Sequence, residues 1–195
     1  PYGCGAVLFR DPTIGRFYKH DSPFTYFTSK ELHLGQISLE CSRAGASAVA
    51  LWATQRLLPY DAGGEFARGL EAGREAALKM YQRLAEDPRF VVPLTPPALD
   101  IVYWAPRGRT VEDSSARSQE IFDEARRHDL YLALATLPAR FFPPSAWDAE
   151  QGEKPMQDET VTCLRSVMMK PEHLGWHDEI WRRLELATMA VLNPH

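Results

Sequence analysis

The sequence predicts an α+β domain with a largely antiparallel sheet over residues 87–195. Three observations lead there. Short strand-like stretches alternate with helical ones throughout that region. A long amphipathic stretch, Glu65 to Ala85, precedes it and is closed by Asp87-Pro88, where the composition shifts, so a domain boundary falls near Glu86. Finally, hydrophobic residues make up 45% and charged residues 25% of the 195, the balance of an ordinary globular chain with room for one domain or two small ones.

Taken in order, Cys4 to Arg10 has the continuous apolar run of a buried strand (Ala6, Val7, Leu8, Phe9), ended by Asp11-Pro12. Thr13 to Leu32 holds Gly15, Pro23 and several aromatic residues and is expected to be a long loop of functional weight. In Ile37 to Cys41 apolar and polar residues alternate with the period of a half-buried strand, which feeds Ser42-Arg43. From Ala44 a helix of small apolar residues runs on through Trp52, and Pro59 blocks it beyond Leu58.

The Glu65 to Ala85 helix follows, with Phe66, Leu70, Gly73, Ala77, Tyr81 and Leu84 at spacings of three or four. Strands are expected at Phe90 to Leu94 and Leu99 to Trp104, then a polar helix at Glu112 to His128 turning Ile121, Phe122 and Ala125 inward. Leu130 to Thr136 and Thr160 to Met169 are further strands, parted by a Pro-rich loop with Phe141, Phe142 and Trp147. A last helix has one apolar face, His177, Ile180, Trp181, Leu184, Thr188 and Val191.

Several function classes are disfavoured. A net charge of −4 and a pI near 5.9 argue against a nucleic-acid surface. Cys4, Cys41 and Cys163 are far apart and odd in number, so neither a metal site nor a disulfide framework follows, and reduced cytoplasmic thiols are expected. The six histidines show no ligand spacing and are expected on surfaces or helix faces. No apolar run is long enough for a membrane helix, and no signal peptide is visible. The chain opens at Pro1 without Met, straight into GCGAVLFRD, so a preceding segment is expected.

Three places could carry chemistry. Ser42 and Arg43 stand before the first turn of the Ala44 helix, where Ser is either a plain N-cap beside a surface Arg or part of an anion site. In TVTCLRSVMM, strand alternation puts Arg165 on one face with Val161, Cys163, Val167 and Met169. A guanidinium there either reaches water from a sheet edge or clamps a carboxylate with its planar, two-pronged donor. Tyr18 and Tyr26, in the long loop, either pack or take part in catalysis.

Together PYGCGAVLFRD (Pro1 to Asp11), SRAGASAVALW and LRSVMMKPEH (Leu164 to His173) resemble, in order and spacing, the pyridoxal-phosphate-dependent group II amino-acid decarboxylases. The resemblance covers nearly the whole chain. It implies the C-terminal portion of a fold-type-I subunit, α/β plus α+β. Residues 1–86 would be the end of the large cofactor-binding domain with a mobile loop and linking helices, and 87–195 the small C-terminal domain. The family's cofactor-bearing lysine would lie shortly before Pro1, so this stretch alone should be inactive. Lys170 departs from the small polar residue that many relatives have before the Pro, and the Thr13 to Leu32 loop matches poorly.

The implied activity is removal of the α-carboxylate of an L-amino acid as CO2, with pyridoxal 5'-phosphate as cofactor, in a homodimer whose sites are shared between subunits. Ser42 and Arg43 would bind the cofactor, Arg165 and Tyr2 the substrate, and Tyr26 would be catalytic. A fold-type-I lyase of different reaction and a non-catalytic binding or scaffold domain of the same fold are the alternatives.

Overall fold

Residues 8–18, 45–147 and 158–192 are described by the structure, a computed structural model. Contacts part the chain into two units, Pro1–Tyr60 and Asp61–His195.

In the first unit Leu8 to Arg10 form no strand, and Leu8 is 92% exposed. This departs from the strand expected over Cys4 to Arg10, whose first residues lie outside the described ones. An apolar run becomes a strand only with a ladder partner, and none of the described residues supplies one. Asp11-Pro12 does break the run. Asp11 Oδ1 accepts from Thr13 N at 2.8 Å and from Thr13 Oγ1 at 2.7 Å, and this turn starts a 3-10 helix, Pro12–Tyr18, inside the expected loop. Helix α1, Ala46–Leu57, stops before Pro59 as expected. It has no buried residue, and Arg56 stacks over Trp52 at 5.0 Å. The strand expected at Ile37 to Cys41 lies outside the described residues.

The second unit is built on one sheet. Strands β1 (Phe90–Val91), β2 (Ile101–Pro106), β3 (Ala133–Pro138) and β4 (Thr160–Val167) lie in the order β1-β2-β4-β3. Every neighbouring pair is antiparallel, as the sequence led one to expect. β1 is shorter than the expected Phe90 to Leu94 because Pro93 has no N–H to give and Leu94 N donates instead to Phe141 O at 2.8 Å.

One face of the sheet carries the main core. Val102, Trp104 and Leu164 pack there with Met80 and Leu84 of α2 (Glu65–Glu86), Ile121 and Ala125 of α3 (Val111–Ala125), and Trp181 and Leu184 of α4 (His177–Leu192). α2 presents Gly73, Ala76, Ala77, Met80 and Leu84 to it, so the buried stripe is turned slightly from the expected one and Leu70 is 59% exposed. The small residues let α2 lie close to the strands. α2 thus belongs to the unit that begins at Asp61, while the composition shift lies at its far end, near Glu86.

α3 starts where expected because Thr110 caps it, its side chain accepting from Asp113 N at 3.1 Å. A smaller cluster of Ala105, Phe142, Ala146, Trp147, Val161 and Cys163 covers part of the other face. There the Pro-rich loop folds over the sheet, and Trp147 Nε1 donates to Ser114 Oγ at 2.9 Å.

Candidate functional site

β4 places Arg165 in the middle of the sheet. Its cross-strand partners are Tyr103 on β2 and Ala133 on β3, so the side chain emerges from a central strand rather than from an edge. The next residues, Leu164 and Ser166, turn to the helix-covered core, where Trp104 Nε1 donates to Ser166 Oγ at 3.0 Å. Alternation therefore sends Arg165 to the opposite face, as its sequence context indicated.

That face changes character along β4. Val161 and Cys163 are fully buried under the Pro-rich loop. Beyond them Arg165, Val167, Tyr103, Ile101 and Ala133 are only half-buried. The result is a shallow apolar shelf with one cation in it. Arg165 Nε is buried and has no hydrogen-bond partner among the described residues. None of the ion pairs among those residues involves Arg165. A buried guanidinium nitrogen without a partner is costly, and an anion brought to the shelf would remove that cost.

Cys163, two residues away on the same face, is no nucleophile. Its thiol donates to Ala135 O at 3.4 Å, and burial pushes its pKa up to about 12. Among the described residues no group of three His, Cys, Asp or Glu side chains could hold a metal ion, and no described helix is long and apolar enough to cross a membrane.

Tyr2, Tyr26, Ser42 and Arg43 lie outside the described residues, so Arg165 is the one expected site residue whose surroundings are known. Sequence reasoning missed Tyr103, which faces the same shelf directly across the ladder. Its signal was the alternation Ile101, Tyr103, Ala105, which becomes informative only once the β2–β4 register is known.

No family model matches the chain. It is 25% identical over 199 residues to an L-tyrosine decarboxylase of Enterococcus faecium, an alignment covering 88% of this chain and 32% of that protein. Among solved structures it is similar to Oryza sativa TDC with PLP and tryptamine, with a TM-score of 0.59, 16% identity, and 82% of this chain against 30% of that one. It is similar also to Catharanthus roseus tryptophan decarboxylase in complex with L-tryptophan, with a TM-score of 0.57, 13% identity, and 92% of this chain against 33% of that one. The chain resembles the C-terminal portion of a group II decarboxylase. The resemblance drawn from its three sequence motifs is thereby borne out. It spans about a third of the length of the decarboxylases it matches.

Proposed function

We propose that this chain is part of a pyridoxal-phosphate-dependent decarboxylase that removes the α-carboxylate of an L-amino acid as CO2. The observation that carries this reading is the buried, unpartnered Nε of Arg165 on a half-open apolar shelf, in a chain with the fold of part of such enzymes. That orphaned donor fits a site for an anionic group, and a substrate carboxylate satisfies it. Residues 1–86 then hold the end of the cofactor-binding domain with its mobile loop and linking helices, of which α2 packs on the sheet of the small domain, 87–195, in a cytoplasmic homodimer with sites shared between subunits.

When bound, the cofactor supplies an electron sink for the carbanion left as CO2 departs. Ser42 and Arg43, a few residues ahead of α1, would hold its phosphate together with the free N–H groups of that helix's first turn. Arg165 binds the substrate carboxylate through its planar fork, which fixes the orientation of the bond to be broken without any proton transfer of its own. Tyr2 lines the substrate pocket. Tyr26, on the Thr13 to Leu32 loop, delivers a proton to the α-carbon while the loop excludes water.

The test is CO2 release from a panel of L-amino acids by the full-length protein loaded with pyridoxal phosphate. Release from at least one of them, together with the visible absorption of bound cofactor, is the expected result. A full-length protein that neither binds the cofactor nor releases CO2 would overturn the reading.

A further inference from the structure

The β1–β2 ladder is continued by Arg107 N donating to Arg89 O at 2.7 Å, and beside that end of the sheet a surface cleft of about 330 Å³ opens. Four of its lining residues are arginines, Arg89, Arg107, Arg109 and Arg117, and none is a carboxylate. This is unusual in a chain whose net charge is −4. We propose that this cleft binds a small phosphate-bearing anion, an assignment independent of the decarboxylase reading.

The charges around it do not cancel. Arg89 is matched by Asp87 at 2.6 Å and by Glu185 at 3.3 Å, and Arg117 by Asp113 at 2.9 Å. The other oxygen of Asp113 accepts from the backbone N–H of Arg109 at 2.9 Å. Arg107 has only carbonyl partners, Pro88 O at 3.1 Å, Ser145 O at 2.8 Å and Ala146 O at 3.2 Å. The Arg109 guanidinium has no hydrogen bond or ion pair to any described residue. Four arginines thus face three carboxylates, and the one positive charge left over favours an anion. The adjoining cleft makes the contrast: Arg83 and Arg89 line it too, but so do Glu86 and Asp87.

The donors are also held in place. Three carbonyls pin Arg107 through Nε and Nη1, leaving Nη2 for a ligand. Arg117 is held by Asp113 and by Arg107 O at 2.9 Å, again through Nε and Nη1. Gly108, between Arg107 and Arg109, lies so close to α3 that a Cβ would stand 2.6 Å from Ser114 N. Only glycine lets this loop settle on the helix with an arginine on either side. Fixed guanidinium donors converging from several residues suit a phosphate, whose oxygens accept from many directions. The volume is at the small end for ligand pockets and fits a phosphate ester rather than a long cofactor.

The experiment is calorimetric titration of the full-length, cofactor-saturated protein with inorganic pyrophosphate at low and high salt. One binding event per chain, weakened by salt, is expected. Arg109→Gln and Arg107→Lys should each weaken it by roughly tenfold or more, the worth of one charge-assisted contact, and Arg109→Glu should abolish it. Thermal unfolding run alongside should show the Arg109 variants folded as the parent is, since that side chain is exposed. ADP tests the source: tighter binding than pyrophosphate assigns a nucleotide, equal binding assigns the phosphate group alone, and both support the site. Pyrophosphate binding that Arg109→Glu leaves intact, absence of binding at low salt, or citrate binding more tightly than pyrophosphate would overturn it.

Discussion

Gly73 of α2 lies against the carbonyl oxygen of Met168, so close that a Cβ there would stand 2.9 Å from it. That contact seats α2 on the chain just past β4, where Met168 N donates to Asp100 O at 2.7 Å. Gly73→Ala should gain about 0.5–1 kcal/mol of helix propensity. It should lose more, about 1–3 kcal/mol, because a backbone carbonyl cannot move aside as a flexible side chain could. Net destabilisation in urea is therefore expected, and a stabilised variant would contradict the close packing.

Trp104 and Ser166 form a hydrogen-bonded pair inside the main core, where Trp104 is fully buried. Ser166→Ala should leave the indole N–H without a partner and cost about 1–3 kcal/mol. Replacing both, as Trp104→Phe with Ser166→Ala, removes the unsatisfied donor but leaves space. A double-mutant cycle by denaturant unfolding should therefore report a coupling between the two positions.

Arg165 offers a kinetic test. On the proposed decarboxylase function, Arg165→Lys in the full-length protein keeps the charge and loses the planar fork, so kcat/KM should fall roughly tenfold to a hundredfold. Arg165→Met should still bind pyridoxal phosphate, seen by its visible absorption, yet fail to decarboxylate. Unchanged turnover in Arg165→Lys would remove the clamp from the mechanism.

His177 should make the protein acid-sensitive. Only 1% of it is exposed, and neither ring nitrogen has a hydrogen-bond partner. Burial, then Lys79 and Arg83 from α2, hold its pKa below the usual 6.5, against a weaker opposing pull from Asp178, 3.7 Å away. A depressed folded-state pKa means that the unfolded chain binds the extra proton first. The contribution of His177 is thus fully present above about pH 6.5 and is lost as pH falls through the folded-state value. Unfolding measured between about pH 5 and pH 8 should show stability falling toward acid, and His177→Phe should flatten that slope. Equal slopes would clear this histidine of the effect.

The parts legible in the sequence are those whose pattern is local. α2 and β4 announce themselves through residues spaced three to four apart or alternating by two, and Pro59 marks the limit of α1. Arg165 was picked out because its strand neighbours are apolar, a fact available without any partner strand. What depends on distant residues was not legible. Leu8 and Phe9 had the composition of a buried strand and are exposed, because burial is decided by what comes to pair. His177 could be set on the apolar face of the last helix from the sequence, but the charges of Lys79 and Arg83 that help lower its pKa come from α2, far away in sequence. Tyr103 needed the β2–β4 register before it could be set beside Arg165.

The strand order β1-β2-β4-β3 has a consequence for how the chain comes together. β4 is the last strand in sequence, yet it occupies the slot between β2 and β3, which do not pair with each other. On a chain emerging from the ribosome, both flanking strands therefore wait with unpaired edges until Thr160–Val167 arrives. Closing loops of that length delays the nucleus and leaves apolar edges open to misassociation. Nascent chains stopped short of Thr160 should thus be prime clients for chaperones, and Arg165 takes up its position only in the step that completes the sheet.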